Sequence, residues 1–216
     1  MKSFWIIGAG RFGKKAVQGI HSRWPRAHIV VVDRDPVATR QMEGEGISLE
    51  CRDGIDFLWE ALGRGEDPDW ILPVIPVHLA YEWVRRRLPS HGRRTQIPVP
   101  ESVATLLPNP IGGGEGQLYV SYADFICPDD CPEPGDVCTC TGQPRLGILW
   151  QVLKRLTHED YISVVVQSRQ LLPGVGGLRP ADLFAALAAV RRAPGPVLFS
   201  TACKCHGVVH ALSPPA

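Results

Sequence analysis

The chain has 216 residues, enough to bury a core as one larger domain or as two small ones. Its apolar content of 44% and charged content of 21% are those of a globular protein, and a formal net charge of +1 argues against a generic nucleic-acid binder. No apolar run approaches the roughly 20 residues of a membrane helix, and Arg11 interrupts the apolar start, so neither membrane insertion nor a signal peptide is expected and the expected location is cytoplasmic.

The first half alternates short apolar runs with helical patterns. "SFWII", residues 3–7, reads as a buried parallel strand. "GAGRFG" follows, then "KKAVQGIHSRW" as a helix with Ala16, Val17 and Ile20 turned inward, then "HIVVVD" as a second buried strand ending at Asp33. Strand, glycine turn, helix, strand and acid is the arrangement that a dinucleotide requires. Gly8 permits the tight turn, Gly10 lets the pyrophosphate reach the backbone, and Gly13 lets the helix lie close to the strand. The free N–H groups that open the helix attract phosphate. The candidate cofactor residues are therefore Gly8, Ala9, Gly10, Arg11, Phe12, Gly13, Asp33 and Arg34. Asp33 can accept both ribose hydroxyls and would repel a 2′-phosphate, which favours NAD(H). Arg34 beside it leaves NADP(H) open, and FAD uses the same turn.

"IIGAGRFGKKAV", "VVVDRDP", "EGISLECRDGIDFLWEAL" and "DWILPVIPVHLAYEWV" together resemble the TrkA-N, or RCK-type, nucleotide-binding domain of potassium-uptake regulators over residues 3–88. The resemblance implies a bound mononucleotide or dinucleotide, regulation rather than catalysis, and a homodimer. It adds Asp53, which matches the family acid after the third strand, whereas Cys51 stands for the family glycine and Gly54 for its alanine. Cys51 alone reads as a small packing residue. His78 falls where a fourth strand passes into a helix, near the sheet edge where ligands bind, and is the one acid/base candidate; a plain helix-entry histidine is the simpler account.

Residues 89–116, rich in proline and glycine, read as a crossover between a domain over 1–88 and a second part over 117–216. Arg85, Arg86, Arg87, Arg93 and Arg94 make a basic cluster at its start, a solvated helix end and loop by preference and otherwise a contact for a phosphate or an acidic partner. The second part gives a strand over "QLYVSYADFI", a helix over "LGILWQVLKRL", a strand over "YISVVVQSRQL", a "PGVGG" turn, a helix over "RPADLFAALAAVRRA" and a last strand over "PVLFSTA". "PGVGG" before a helix could cradle an anion, but it lacks the lysine and hydroxyl of a phosphate loop. The expected fold is α/β, a Rossmann-type parallel sheet with a second, smaller cysteine-rich α/β part.

Cys127, Cys131, Cys138 and Cys140 share one loop, stiffened by Pro128, Pro132 and Pro134, that has little apolar surface to bury. Cys203 and Cys205 follow the last strand, with His206 as a spare ligand. Reduced cytosolic thiols in such a cluster point to a metal, which would organise the loop directly. An iron–sulfur cluster is favoured by thiolates on an irregular loop; zinc usually takes Cys-x₂-Cys turns, which this chain lacks, and disulfides across Cys-x-Cys would be strained. Three functions fit: an NAD(H)-binding redox protein with an iron–sulfur cluster and an electron-transfer partner, a nucleotide-sensing module with structural zinc, or a small-molecule dehydrogenase that would use His78.

Overall fold

A computed structural model describes residues 1–88, 94–133 and 135–215. Four strands and their helices follow one another from the start: β1 (Ser3–Ile7), α1 (Arg11–Arg23), β2 (His28–Asp33), α2 (Pro36–Arg40), β3 (Ile47–Cys51), α3 (Gly54–Ala61), β4 (Trp70–Pro73) and α4 (Leu79–Arg87). The strands form one parallel sheet in the order β3-β2-β1-β4. β1 and β2 are covered on both faces, which is why they read as unbroken apolar runs. α1 turns Gly13, Ala16, Val17 and Ile20 to the sheet. Asp35 caps α2 through the Val37 and Ala38 N–H groups at 2.8 and 3.3 Å, and Pro36 starts that helix with its φ already set.

The remainder comprises β5 (Gln96–Ile97), α5 (Glu101–Ala104), β6 (Ile111–Gly112), β7 (Leu118–Ser121), α6 (Leu149–Lys154), β8 (Ile162–Gln167), β9 (Arg169–Leu172), β10 (Val175–Gly177), α7 (Pro180–Arg192), β11 (Val197–Ala202) and β12 (His206–Leu212). Six of these strands make a mixed sheet in the order β6-β7-β12-β11-β8, with β5 also on β12 and only β8 and β11 parallel. The fold is thus α/β, as expected.

Several boundaries differ from the sequence reading. The strand expected over 117–126 ends at Ser121, where the Ser121 hydroxyl accepts from the Ala123 N–H at 2.9 Å and turns the chain out of the sheet. The run over 161–171 is two strands. Ser168 donates its N–H to Ala202 in the large sheet, and the chain then changes partner to pair as a β9–β10 hairpin. Of "PGVGG", Pro173 and Gly174 make that hairpin's turn and the rest is β10, so it is not a helix entry. The Gly174 N–H donates to the Cys131 carbonyl at 3.1 Å, so the anion cradle is withdrawn. The expected last strand is followed by β12, which closes a hairpin over Cys203–Cys205.

The largest apolar cluster joins the two sheets. Ile7 and Val32 from the first meet Val164 and Phe199 from the second, with Trp83 of α4 and Leu183 and Leu187 of α7 between. A backbone pair also crosses: Ile71 donates to Leu178 at 2.9 Å and Leu178 donates back at 2.7 Å.

Candidate functional site

The glycine turn is set by close contacts. Gly8 has φ +119°, and a side chain there would meet the Val74 carbonyl oxygen at 2.7 Å. At Gly13 a β-carbon would stand 2.2 Å from the Gly8 carbonyl oxygen, so glycine is what allows α1 to enter so near β1. Gly10, in contrast, faces open space, and as the N-cap it offers no side chain to the first N–H groups of α1. Asp33 reaches back over the turn, accepting from the Ala9 N–H at 2.7 Å on one oxygen and from the Asp35 N–H at 2.9 Å on the other. Each oxygen keeps a second lone pair for another donor. Arg34 is exposed beside it. Asp53 caps α3, accepting from Ile55 and Asp56 at 2.8 and 3.0 Å, both on one oxygen. Cys51 ends β3 as an exposed thiol that donates weakly to the Arg34 carbonyl.

β7 and β11 lie on either side of β12, so the loop that leaves β7 meets the turn that leaves β11. Five of the six thiols of these two segments, all but Cys140, line two cavities. One, of about 510 Å³, is lined by Cys127, Cys131, Cys138 and Cys205 with Phe125 and Leu146. The other, of about 280 Å³, has Cys127, Cys131, Cys203 and Cys205 on its wall, together with His206 and Phe12. Cys127, Cys131 and Cys205 border both. His206 bridges sulfurs, with Nε2 3.5 Å from Cys127 Sγ and Nδ1 3.9 Å from Cys203 Sγ. Cys203 Sγ accepts the N–H groups of Cys205 and His206 at 3.4 and 3.3 Å, and the Arg145 guanidinium donates to Cys205 Sγ. Among the described residues no group of three or more His, Cys, Asp or Glu side chains stands in metal-holding geometry; the sulfurs border space rather than meet at a point.

The electrostatics reflect the crowding. Burial pushes Cys203 up to about 12, with Glu133 adding to the push. Burial also raises Cys127, and the thiolates of Cys131, Cys140, Cys205 and Cys138 raise it further, which marks these five as neighbours. Cys205 is raised by burial against the opposing pull of Arg145. Cys140 is raised, first by desolvation and then by Cys138. Cys138 goes the other way, lowered by hydrogen bonds from the Thr141 backbone and hydroxyl. His206 is lowered by burial.

The cysteine loop rests directly on the glycine turn. Asp129 forms an ion pair with Arg11 at 2.6 Å, and the Lys15 ammonium donates to the Asp129 carbonyl at 2.5 Å. Gln170 donates to the Cys131 carbonyl at 2.7 Å, and Glu133 accepts the Lys204 N–H at 2.6 Å. Arg11, Lys15 and Asp33 thus stand at one end of a continuous surface that ends at the thiols. Asp129, Glu133, Arg145 and Gln170 were not singled out in the sequence. The signal available was the density of acids between the cysteines.

His78 lies elsewhere, enclosed by Tyr81, Phe199 and His210. Its Nδ1 is 2.8 Å from His210 Nδ1 and its Nε2 is 2.8 Å from the Thr201 hydroxyl. Tyr81 stacks on His210 with centroids 4.0 Å apart. Burial holds His78 well below the ordinary imidazole value, and His210 adds to this; His210 itself is lowered to about 4, chiefly by burial. The pair is a neutral tie between α4 and the large sheet, and its second member was not anticipated. The basic cluster is likewise engaged inside the molecule. Arg85 pairs with Glu82 at 2.7 Å, Arg86 pairs with Asp56, and Arg87 donates to the Trp59 and Leu62 carbonyls. Buried Arg94 donates to the carbonyls of Ala193, Gly195 and Ser213. Arg93, Pro134 and the first five residues of the expected crossover lie outside the described residues.

Comparison with known proteins gives two matches. The profile of a family described as "Uncharacterized protein, C-terminal domain" matches residues 80–214. A protein of Archaeoglobus fulgidus, described as "Uncharacterized protein", is 26% identical over 221 residues, 96% of this chain and 97% of its own length. No solved structure matches. No helix among the described residues is long and apolar enough to cross a membrane.

Proposed function

The chain belongs to the family of that C-terminal domain, whose matched span holds all six cysteines of the two segments, and from this premise we propose that the protein binds NAD(H) and carries a cysteine-ligated iron–sulfur centre that serves electron transfer or redox sensing. The observation that carries the reading is the Asp129 junction. The loop bearing Cys127 and Cys131 sits on Arg11 and Lys15, next to the turn that would receive the pyrophosphate. A Rossmann-type site is supported by the strand order, the contacts that require glycine at Gly8 and Gly13, the open space at Gly10, and the free lone pairs of Asp33.

The donor set fits a thiolate-held centre. Cys127, Cys131, Cys138 and Cys205 would hold it, because these four line one cavity whose other walls are largely apolar. Such a centre supplies one-electron transfer when bound. The chain's own groups prepare the place. Arg145 balances thiolate charge at Cys205, and Thr141 favours the thiolate of Cys138. The loop buries little of its own apolar surface, so metal binding and loop order would be one event.

A second reading, structural zinc in a nucleotide-sensing module, is favoured by one observation: His206 stands within reach of both Cys127 and Cys203, a mixed sulfur and nitrogen set. Anaerobic purification followed by iron, sulfide and zinc analysis separates the two. Absorption near about 400 nm that dithionite bleaches, with NADH binding to the same preparation, supports the first. A colourless protein with one equivalent of zinc supports the second. Material free of both metals under either preparation overturns both.

A further inference from the structure

The surface around the larger thiol cavity combines two properties that rarely coexist by chance. Its apolar side chains stand out in water: Ile126 is 98% exposed and Leu146 87%, with Phe125 and Val137 also exposed. Phe125 and Leu146 line the cavity itself, Ile126 lies between Phe125 and Cys127 in the chain, and Val137 pairs with Pro144 in an isolated bridge. Leaving such groups in water is unfavourable by about 25 cal/mol per Å², and a clustered patch of this kind marks a surface that is covered in use. The second property is charge. From Asp124 to Pro144 the chain carries five acids and no lysine or arginine. Asp129 and Glu133 are engaged with Arg11 and Lys204, Asp129 in an exposed ion pair, while Asp124, Asp130 and Asp136 are exposed.

We propose that this face docks a small basic one-electron carrier protein, whose apolar spot lies on Ile126 and Leu146 and whose lysines and arginines meet Asp124, Asp130 and Asp136. The occupant follows from charge. A second copy placed face to face would set these acids against themselves, and an anionic lipid surface would be repelled by them. A basic protein gains both terms: complementary charge steers its approach and the apolar centre closes the contact. The location serves exchange with the thiols, because Asp124, Phe125 and Leu146 of this surface also form the cavity wall. The inference rests on the redox reading above and names a partner for its one-electron side, the carrier to which a reduced cluster would pass its electron.

The test uses the full chain, anaerobically prepared, with metal content measured for every variant. The probes are a lysine-rich c-type cytochrome, an acidic plant-type ferredoxin, and vesicles of phosphatidylserine and phosphatidylcholine, each titrated against the immobilised chain. The expected result is micromolar binding of the cytochrome that weakens about tenfold or more between roughly 20 and 200 mM salt, with no binding of the ferredoxin or vesicles. The triple substitution Asp124→Asn, Asp130→Asn, Asp136→Asn should weaken the cytochrome about tenfold, and Ile126→Ser with Leu146→Ser should do the same at unchanged metal content. Absence of cytochrome binding, binding indifferent to both sets of substitutions, preference for ferredoxin or vesicles, or dimerisation that Ile126→Ser abolishes would each overturn the proposal. Loss of the redox reading would appear separately, as absence of iron in the unsubstituted chain.

Discussion

The glycine turn and the cysteine loop touch each other and are built by opposite means. The turn is fixed by backbone approach: Gly8 against Val74, Gly13 against Gly8, and β1 between two strands in a sheet covered on both faces. The loop is held by side-chain bonds from Gln170 and Lys15, by Arg145 reaching Cys205, and by scattered backbone bonds such as that of Gly174 to Cys131, while several of its own apolar residues face outward. The first can receive a ligand without rearranging. The second carries four thiols and faces two more, so on the reading proposed above its ligand would be part of its structure.

The sharpest way to break the comparison is at Gly13. Gly13→Ala places a methyl group against the Gly8 carbonyl and is expected to cost about 2–4 kcal/mol, read as a lower denaturation midpoint together with loss of NADH binding. A stable variant with normal binding would show that the turn is not held by close approach. On the loop side, Cys131→Ser should remove most of the bound metal and increase proteolysis between residues 124 and 144, whereas Cys51→Ser should change neither, since Cys51 stands apart at the end of β3.

The buried histidine pair gives a third, smaller effect. An unfolded chain accepts protons on His78 and His210 below about pH 6.5, but burial in the folded state opposes this, down to about 4 for His210; Glu82 works against that shift and Arg85 with it. The folded form is therefore fully favoured above about pH 6.5, and stability is lost as pH falls toward 4. A loss of about 2 kcal/mol by pH 5 is expected in denaturant titrations, and His210→Gln should flatten the slope. The smallest effect concerns the junction itself. Asp129→Asn releases Arg11 from an exposed ion pair, so NADH affinity measured by calorimetry should rise about two- to fivefold. An unchanged affinity would mean that Arg11 takes no part in the phosphate site.

What the sequence made legible follows the same division. "FWII", "GAGRFG" and "HIVVVD" could be read because burial on both faces and a turn fixed by glycine leave marks in neighbouring residues. The meeting of the two cysteine segments was also legible, because both leave the ends of strands. The point where "YISVVVQSRQL" changes partner at Ser168 was not, because a strand keeps the same alternation whichever sheet it joins. Nor was β12, since the histidines and glycine of "HGVVHAL" conceal an apolar run that only pairing with β11 and β7 explains. His210 was hidden for the same reason: its partner His78 lies 132 residues away in the chain.

The reciprocal hydrogen bonds between Ile71 and Leu178 carry a last consequence. They set one residue from the other half of the chain as a bridge along the edge of β4, and α7 lays its apolar side on α4 in the same seam. The two halves are therefore not interchangeable cassettes. A fragment cut to the span of the matching family would begin inside α4, keep the contact of α4 with α7, but leave Leu178 without its Ile71 partner and strip Ile7, Val32, Phe57 and Leu58 from the shared core, and the apolar side chains so uncovered favour clumping.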